Sequence, residues 1–183
     1  MKRTFSLLLS VVIAVCAFTS CNKAPASNKT AAEVFDAINA AFAEQYKDVE
    51  GVEGAIPNMP MDVDDTVLKE KFGIDPEWVE DYKGQIAGMM TNCDMLVVVK
   101  AKDGQLDKVK EGLEKGKADQ NALFEFYGVM GNPERLAASK IVTNGNYAAL
   151  LMVGILTDNA AEGFDFSGDV RLAEDTFNKT ING

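Results

Sequence analysis

Cys21 carries the most specific chemical signal in this sequence, because of what stands in front of it. Met1-Lys2-Arg3 opens the chain with positive charge, and residues 5–18 form a mostly apolar run of 14. Ala17-Phe18-Thr19-Ser20 then lead into the cysteine. This is the order of a secretory signal, and the run is short for a membrane-spanning helix. A bulky apolar residue three places before a cysteine and a small one directly before it form the pattern cut by the lipoprotein signal peptidase. Phe18 and Ser20 fill those places, whereas Val15 is too bulky to precede a cut at Cys16. Residues 1–20 are therefore predicted to be a signal peptide and Cys21 the lipidated first residue of the mature chain. Two or three acyl chains, palmitate among them, reach the threshold for stable anchoring. Cleavage by the ordinary signal peptidase, releasing a soluble protein, is the alternative.

Other clusters could do chemistry, and each has a plainer reading. Asp62, Asp64 and Asp65 have the alternate spacing of a calcium loop, but an EF-hand needs glycine and glutamate where Val67 and Gly73 stand. Capping of the helix that follows explains the trio better. Met59, Met61, Met89, Met90 and Cys93 are soft ligands suited to Cu(I), yet methionine is mostly adaptable core filler. Cys93 has no base or basic cluster beside it in sequence, which favours a buried, inert thiol. With Cys16 removed and Cys21 acylated, it has no disulfide partner. Gly112 and Gly116 share a helix face; tolerated weak positions are preferred here over close approach of another element. Neither a metal nor a cofactor is expected.

The chain has no histidine, which excludes Ser-His-Asp and Cys-His catalysis and histidine-ligated zinc. Acids are plentiful, but no spacing marks a catalytic pair, Trp78 is the only tryptophan, and phosphate-loop and dinucleotide fingerprints are absent. Removing residues 1–20 takes away Lys2 and Arg3 and no acid, leaving 16 basic and 28 acidic side chains, a net charge of −12. Such a surface repels nucleic acid and anionic headgroups.

The elements that must position these residues follow from periodicity. Residues 22–29, small and polar with one proline, form a tether. Thr30-Ala31-Ala32-Glu33 reads as a capping box for a helix over residues 30–47, with Val34, Ile38, Phe42 and Tyr46 inward. Residues 51–65 are irregular, and Pro57 and Pro60 bar a central strand there. A second helix is predicted over 65–72, and a third opening at Pro76 with Trp78, Val79, Tyr82 and Ile86 inward. Met95-Leu96-Val97-Val98-Val99 is a strand buried on both faces or central in a sheet. Residues 85–90 are a candidate for a further short strand. Leu106, Val109, Leu113, Phe124 and Tyr127 mark a long helix, interrupted by Gly112, Gly116 and Gln120 and broken at Gly131-Asn132-Pro133. Ile141-Val142-Thr143 and residues 147–153 read as a hairpin turning on a type I′ Asn144-Gly145 pair. A last helix carries Phe166, Val170, Ala173 and Phe177.

Three stretches form a recognisable set: Leu68-Lys69-Glu70-Lys71-Phe72-Gly73-Ile74-Asp75 with Glu80-Asp81-Tyr82; Met89-Met90-Thr91-Asn92 leading into Val97-Val98-Val99-Lys100-Ala101-Lys102-Asp103-Gly104; and Lys140-Ile141-Val142-Thr143-Asn144-Gly145-Asn146-Tyr147. Over residues 65–155 the chain resembles domain of unknown function 4358, an uncharacterised family of small bacterial lipoproteins. The resemblance implies a lipoprotein with a compact α/β domain and no established catalytic residues.

The fold expected is α+β, a two-layer sandwich in which an antiparallel or mixed sheet of three to four strands packs against helices. Residues 1–20 would be the signal, 21–29 the lipidated cysteine and tether, and 30–183 one globular domain. The function expected is a non-catalytic binding or accessory module, exported and anchored outside the cytoplasm through Cys21. Its partner would be an envelope protein or small ligand, and not nucleic acid. A histidine-free, carboxylate-dependent enzyme acting on an envelope or extracellular substrate is the alternative. Residues 51–65 carry apolar side chains without a helical period, so Met59 and Met61 are the candidate binding loop, at least one of them exposed.

Overall fold

In the computed structural model, the described residues are 27–157 and 163–183. Cys21, the expected signal segment and the first part of the expected tether lie outside them. Five strands form one sheet: β1 (Pro60–Asp62), β2 (Val79–Ala87), β3 (Met95–Ala101), β4 (Lys140–Asn144) and β5 (Tyr147–Met152). The order is β1-β2-β3-β5-β4, and every pair is antiparallel. Five α-helices accompany it: α1 (Ala31–Gln45), α2 (Asp65–Phe72), α3 (Leu106–Phe124), α4 (Asn132–Ala138) and α5 (Ser167–Asn182).

The continuous apolar runs of β3 and β5 have a simple cause, since both faces of the sheet are covered. Leu96 and Val98 of β3, with Ala149 and Leu151 of β5, pack against Val34, Ile38 and Phe42 of α1 and Val170, Ala173 and Phe177 of α5. The alternate residues Met95, Val97 and Val99, with Ala148 and Leu150, pack against Leu68 and Phe72 of α2 and Val109 and Leu113 of α3. Each fully buried valine or leucine contributes roughly 1.5–3 kcal/mol. The sheet therefore lies between two helical layers and has five strands, where two layers and three to four strands were expected. The extra strand is β1, which pairs only with β2 and places Pro60 at an edge, where a missing N–H costs no ladder bond.

The third helix is also corrected. Pro76–Trp78 make one 3-10 turn, and Val79 then enters β2. Val79, Tyr82 and Ile86 satisfy a helical spacing, but pairing with the full length of β3 decides the conformation. A bulge between Val79 and Asp81 shifts the register there. Gly112 and Gly116 do not interrupt α3 but belong to its buried face: a Cβ would meet Ile74 Cγ1 at 2.4 Å at the first and Phe72 Cδ1 at 2.2 Å at the second. These glycines let the 72–74 segment sit directly on the helix. In the hairpin, Asn144 pairs with Tyr147, so the two loop residues are Gly145 and Asn146. Only Gly145 takes positive φ, and glycine in first place departs from the Asn-Gly turn expected. An unexpected short helix, α4, starts with Pro133 in its first turn.

Candidate functional site

The two ends of the sheet differ in chemistry. At the proximal end, where β2 and β5 begin and β3 finishes, the Tyr147 hydroxyl meets the carbonyls of Ser27 and Lys29, at 3.1 Å for Ser27. This fastens the chain entering α1 to the sheet. Asn144 Nδ2 donates to Asn178 and Asn182 of α5 at 3.0 and 3.1 Å. A shallow concavity of about 560 Å3 lies there, lined by residues such as Lys29, Glu33 and Asn182.

The distal end is built on the approach to β3. Asp94 and Arg135 are each 1% exposed, and Arg135 Nε lies 2.5 Å from Asp94 Oδ1. The two groups form a buried ion pair. Asn92 donates from Nδ2 to Asp94 Oδ2 at 2.9 Å and accepts the Asp94 amide on Oδ1 at 3.0 Å. The other Arg135 nitrogens donate to the carbonyls of Met130 and Gly154, both at 3.0 Å, and to Asn132 Oδ1 at 3.4 Å. The guanidinium stands 4.3 Å from the Phe166 ring centre. Asn132, fully buried, accepts the Cys93 amide and donates to the carbonyls of Thr91 and Tyr127, so it joins the loop before β3 to the loop after α3. Asp169 completes the set, accepting the Tyr46 hydroxyl and the Ile155 amide.

Asp94 and Arg135 form part of the wall of a cleft of about 330 Å3, with Glu50, Asn58, Met130 and Gly154 among its other lining residues. Burial pushes the Asp94 carboxyl up to about 6, against the pull of Arg135 and Asn92. Burial also raises Asp169, opposed by its bonds from Tyr46 and Ile155. Burial pushes the Cys93 thiol up to about 11, which keeps it protonated and unreactive at neutral pH.

Above this polar layer the surface is apolar. Among the described residues, eight large hydrophobic side chains are exposed: Met59, Met61, Met89, Met90, Leu123, Phe126, Tyr127 and Val129. All eight sit at the distal end, on β1, in the last turn of α3 and on the segments flanking β2, β3 and α3. Met90 and Phe126 are 92% and 89% exposed, and Met59 and Met61 are 76% and 51% exposed. The only positive-φ residues other than glycine among those described are Met59 and Met130, at φ 46° and 55°. Both belong to this end, and such backbone is held only where surrounding structure enforces it.

The remaining candidates are structural in their contacts. Asp64 caps α2 by accepting from the Val67 amide at 2.8 Å, Asp65 accepts the Tyr82 hydroxyl at 2.6 Å, and Asp62 pairs with Lys83 at 3.0 Å. The Cys93 thiol is buried against the Asn132 carbonyl, whereas Met59, Met61, Met89 and Met90 are exposed. Asp94, Arg135 and Asp169 had no motif to mark them. A lone acid ahead of a valine run was the one visible trace, and the arginine that answers it stands 41 residues away.

The family model described as domain of unknown function (DUF4358) matches residues 53–153, more than half of the chain. The chain belongs to the DUF4358 family. The matched DUF4358 segment spans the whole sheet with α2, α3 and α4, and holds Met59, Met61, Asp94 and Arg135. It leaves out α1, α5 and Asp169, so one helical layer lies outside the matched region. No curated protein and no solved structure matches this DUF4358 chain.

Proposed function

We propose that the protein is an exported lipoprotein, held to a membrane through lipid on Cys21, whose domain is a non-catalytic module that engages another envelope component with its distal end. The observation that carries this reading is the gathering of all eight exposed large apolar side chains at the end opposite the Ser27–Tyr147 strap. A chain anchored through its N-terminus would point that end away from the membrane. Exposed apolar side chains concentrated on one surface mark interaction sites. Two measurements test the two halves. Cys21→Ser should abolish acyl labelling and leave unprocessed precursor; persistent labelling would overturn the anchor. A photo-reactive residue at position 90 should trap a neighbouring envelope protein in intact cells, whereas one at Asn146 should not. Equal trapping at both positions would overturn the distal surface.

One observation favours the carboxylate-dependent enzyme instead: Asp94, with its raised pKa, lies in a cleft wall, where proton-transfer groups are often tuned in this way. Against it, one Asp94 oxygen faces Arg135, the other accepts from Asn92, and the carboxyl is almost wholly shielded from solvent. A general acid must reach substrate. The binding module is therefore the better reading.

A further inference from the structure

The charges around the distal surface indicate what it binds. Residues 48–68, 84–99 and 118–134 build this end and contain no lysine or arginine. Arg135, the next cation in sequence, is buried against Asp94. The lysines that reach or adjoin these segments are occupied: Lys83 pairs with Asp62, Lys115 with Asp119, Lys47 with Glu44 and Lys140 with Glu174, while Lys71 donates to Gln120 and Lys117 to the Ser139 carbonyl. The acids are exposed and open. Glu50, Glu53, Glu125 and Glu134 stand around the apolar side chains, and none has an ion pair among the described residues.

We infer that the distal end receives a basic amphipathic polypeptide segment, with apolar side chains against the methionines and aromatics and lysines or arginines against the acidic rim. This rests on the binding-module reading above and names the partner's chemistry. Methionine side chains are flexible and polarisable, and they suit an apolar helix face that must be accommodated rather than matched. A second copy of this chain is disfavoured, since a two-fold contact would set acidic rim against acidic rim. An anionic lipid surface is disfavoured by the same charge.

The test uses the full chain in zwitterionic micelles, carrying carbon-13 in its methionine methyls. The probes are a synthetic amphipathic helix of leucine and lysine, the same helix with glutamate for lysine, and phosphatidylglycerol vesicles. The lysine helix should shift the Met59, Met61, Met89 and Met90 methyls while the buried Met95 and Met152 stay in place. Met90→Ser with Phe126→Ser should weaken that binding about tenfold or more, whereas Glu70→Gln with Glu111→Gln should not. Equal affinity for the Met90/Phe126 variant would show general attraction to an acidic protein and overturn the inference. A stronger response to the glutamate helix or to vesicles, or shifts on concentration alone, would overturn the partner's chemistry and leave the surface standing. Silence from every probe would remove both.

Discussion

At the proximal end of the sheet, polar groups are paired off within the fold: buried Tyr147 with two carbonyls, half-buried Asn144 with two asparagines. At the distal end the arrangement is inverted. Charges lie beneath the surface, in the Asp94–Arg135 pair, and apolar side chains stand outside. An end whose polar groups are already satisfied within the fold offers little to a partner. Exposed methionine and phenylalanine offer apolar area that remains to be buried, and the ion pair holds in place the loops that present it.

The largest expected break in this contrast is Arg135→Ala. It leaves Asp94 buried without its counter-charge and frees the carbonyls of Met130 and Gly154. Losing one partner of a buried pair costs about 3–5 kcal/mol. Chemical denaturation should read that loss, with a change below about 1 kcal/mol showing that the pair does not hold this end together.

An intermediate effect comes from pH. The folded Asp94 carboxyl lies near 6 and its ordinary value is 3.8, so the folded state holds the proton more tightly between these values. Stability should therefore fall as pH rises through that window, and the raised Asp169 acts in the same direction. Melting temperature is expected to be higher at about pH 5 than at about pH 7, with a shallower slope in Asp94→Asn. A parental slope of opposite sign would show that burial does not dominate this carboxyl.

The smallest effects sharpen the comparison. Tyr147→Phe should cost about 1 kcal/mol or somewhat more, by leaving its carbonyl partners short of a donor. Met59→Ala with Met61→Ala should stay within about 0.5 kcal/mol for each surface change, yet remove the neighbour trapped from position 90. Thermal melts of the two variants, side by side with crosslinking, separate the end that stabilises from the end that binds.

What was legible in the sequence follows the same division. Elements governed by local rules were readable: the Thr30–Glu33 capping box of α1, the Asp64-capped α2 ended by Gly73, and the apolar runs of β3 and β5. Elements governed by partners were not. Val79, Tyr82 and Ile86 fit a helix until β3 is there to pair with, and Gly112 and Gly116 look like flaws until Phe72 and Ile74 lie on them. The exposure of Met59 and Met61 was legible because apolar side chains without a helical period, flanked by prolines, are themselves a signal. Asp94 and Arg135 were not, because a buried ion pair is a fact about two distant segments and shows in neither.

The strap at Ser27 has a mechanical consequence. The Tyr147 hydroxyl ties the incoming chain to β5, and the Ala31 amide donates to Asp81 Oδ2 of β2 at 2.6 Å. β5 and β2 are the two strands that flank β3. Tension along the chain ahead of Ser27 would therefore load both neighbours of the central strand at the sheet's proximal edge before it could peel α1 from its first turn. The attachment works as a strain relief, passing a pull into the two strands beside the central one instead of to the far end of the sheet.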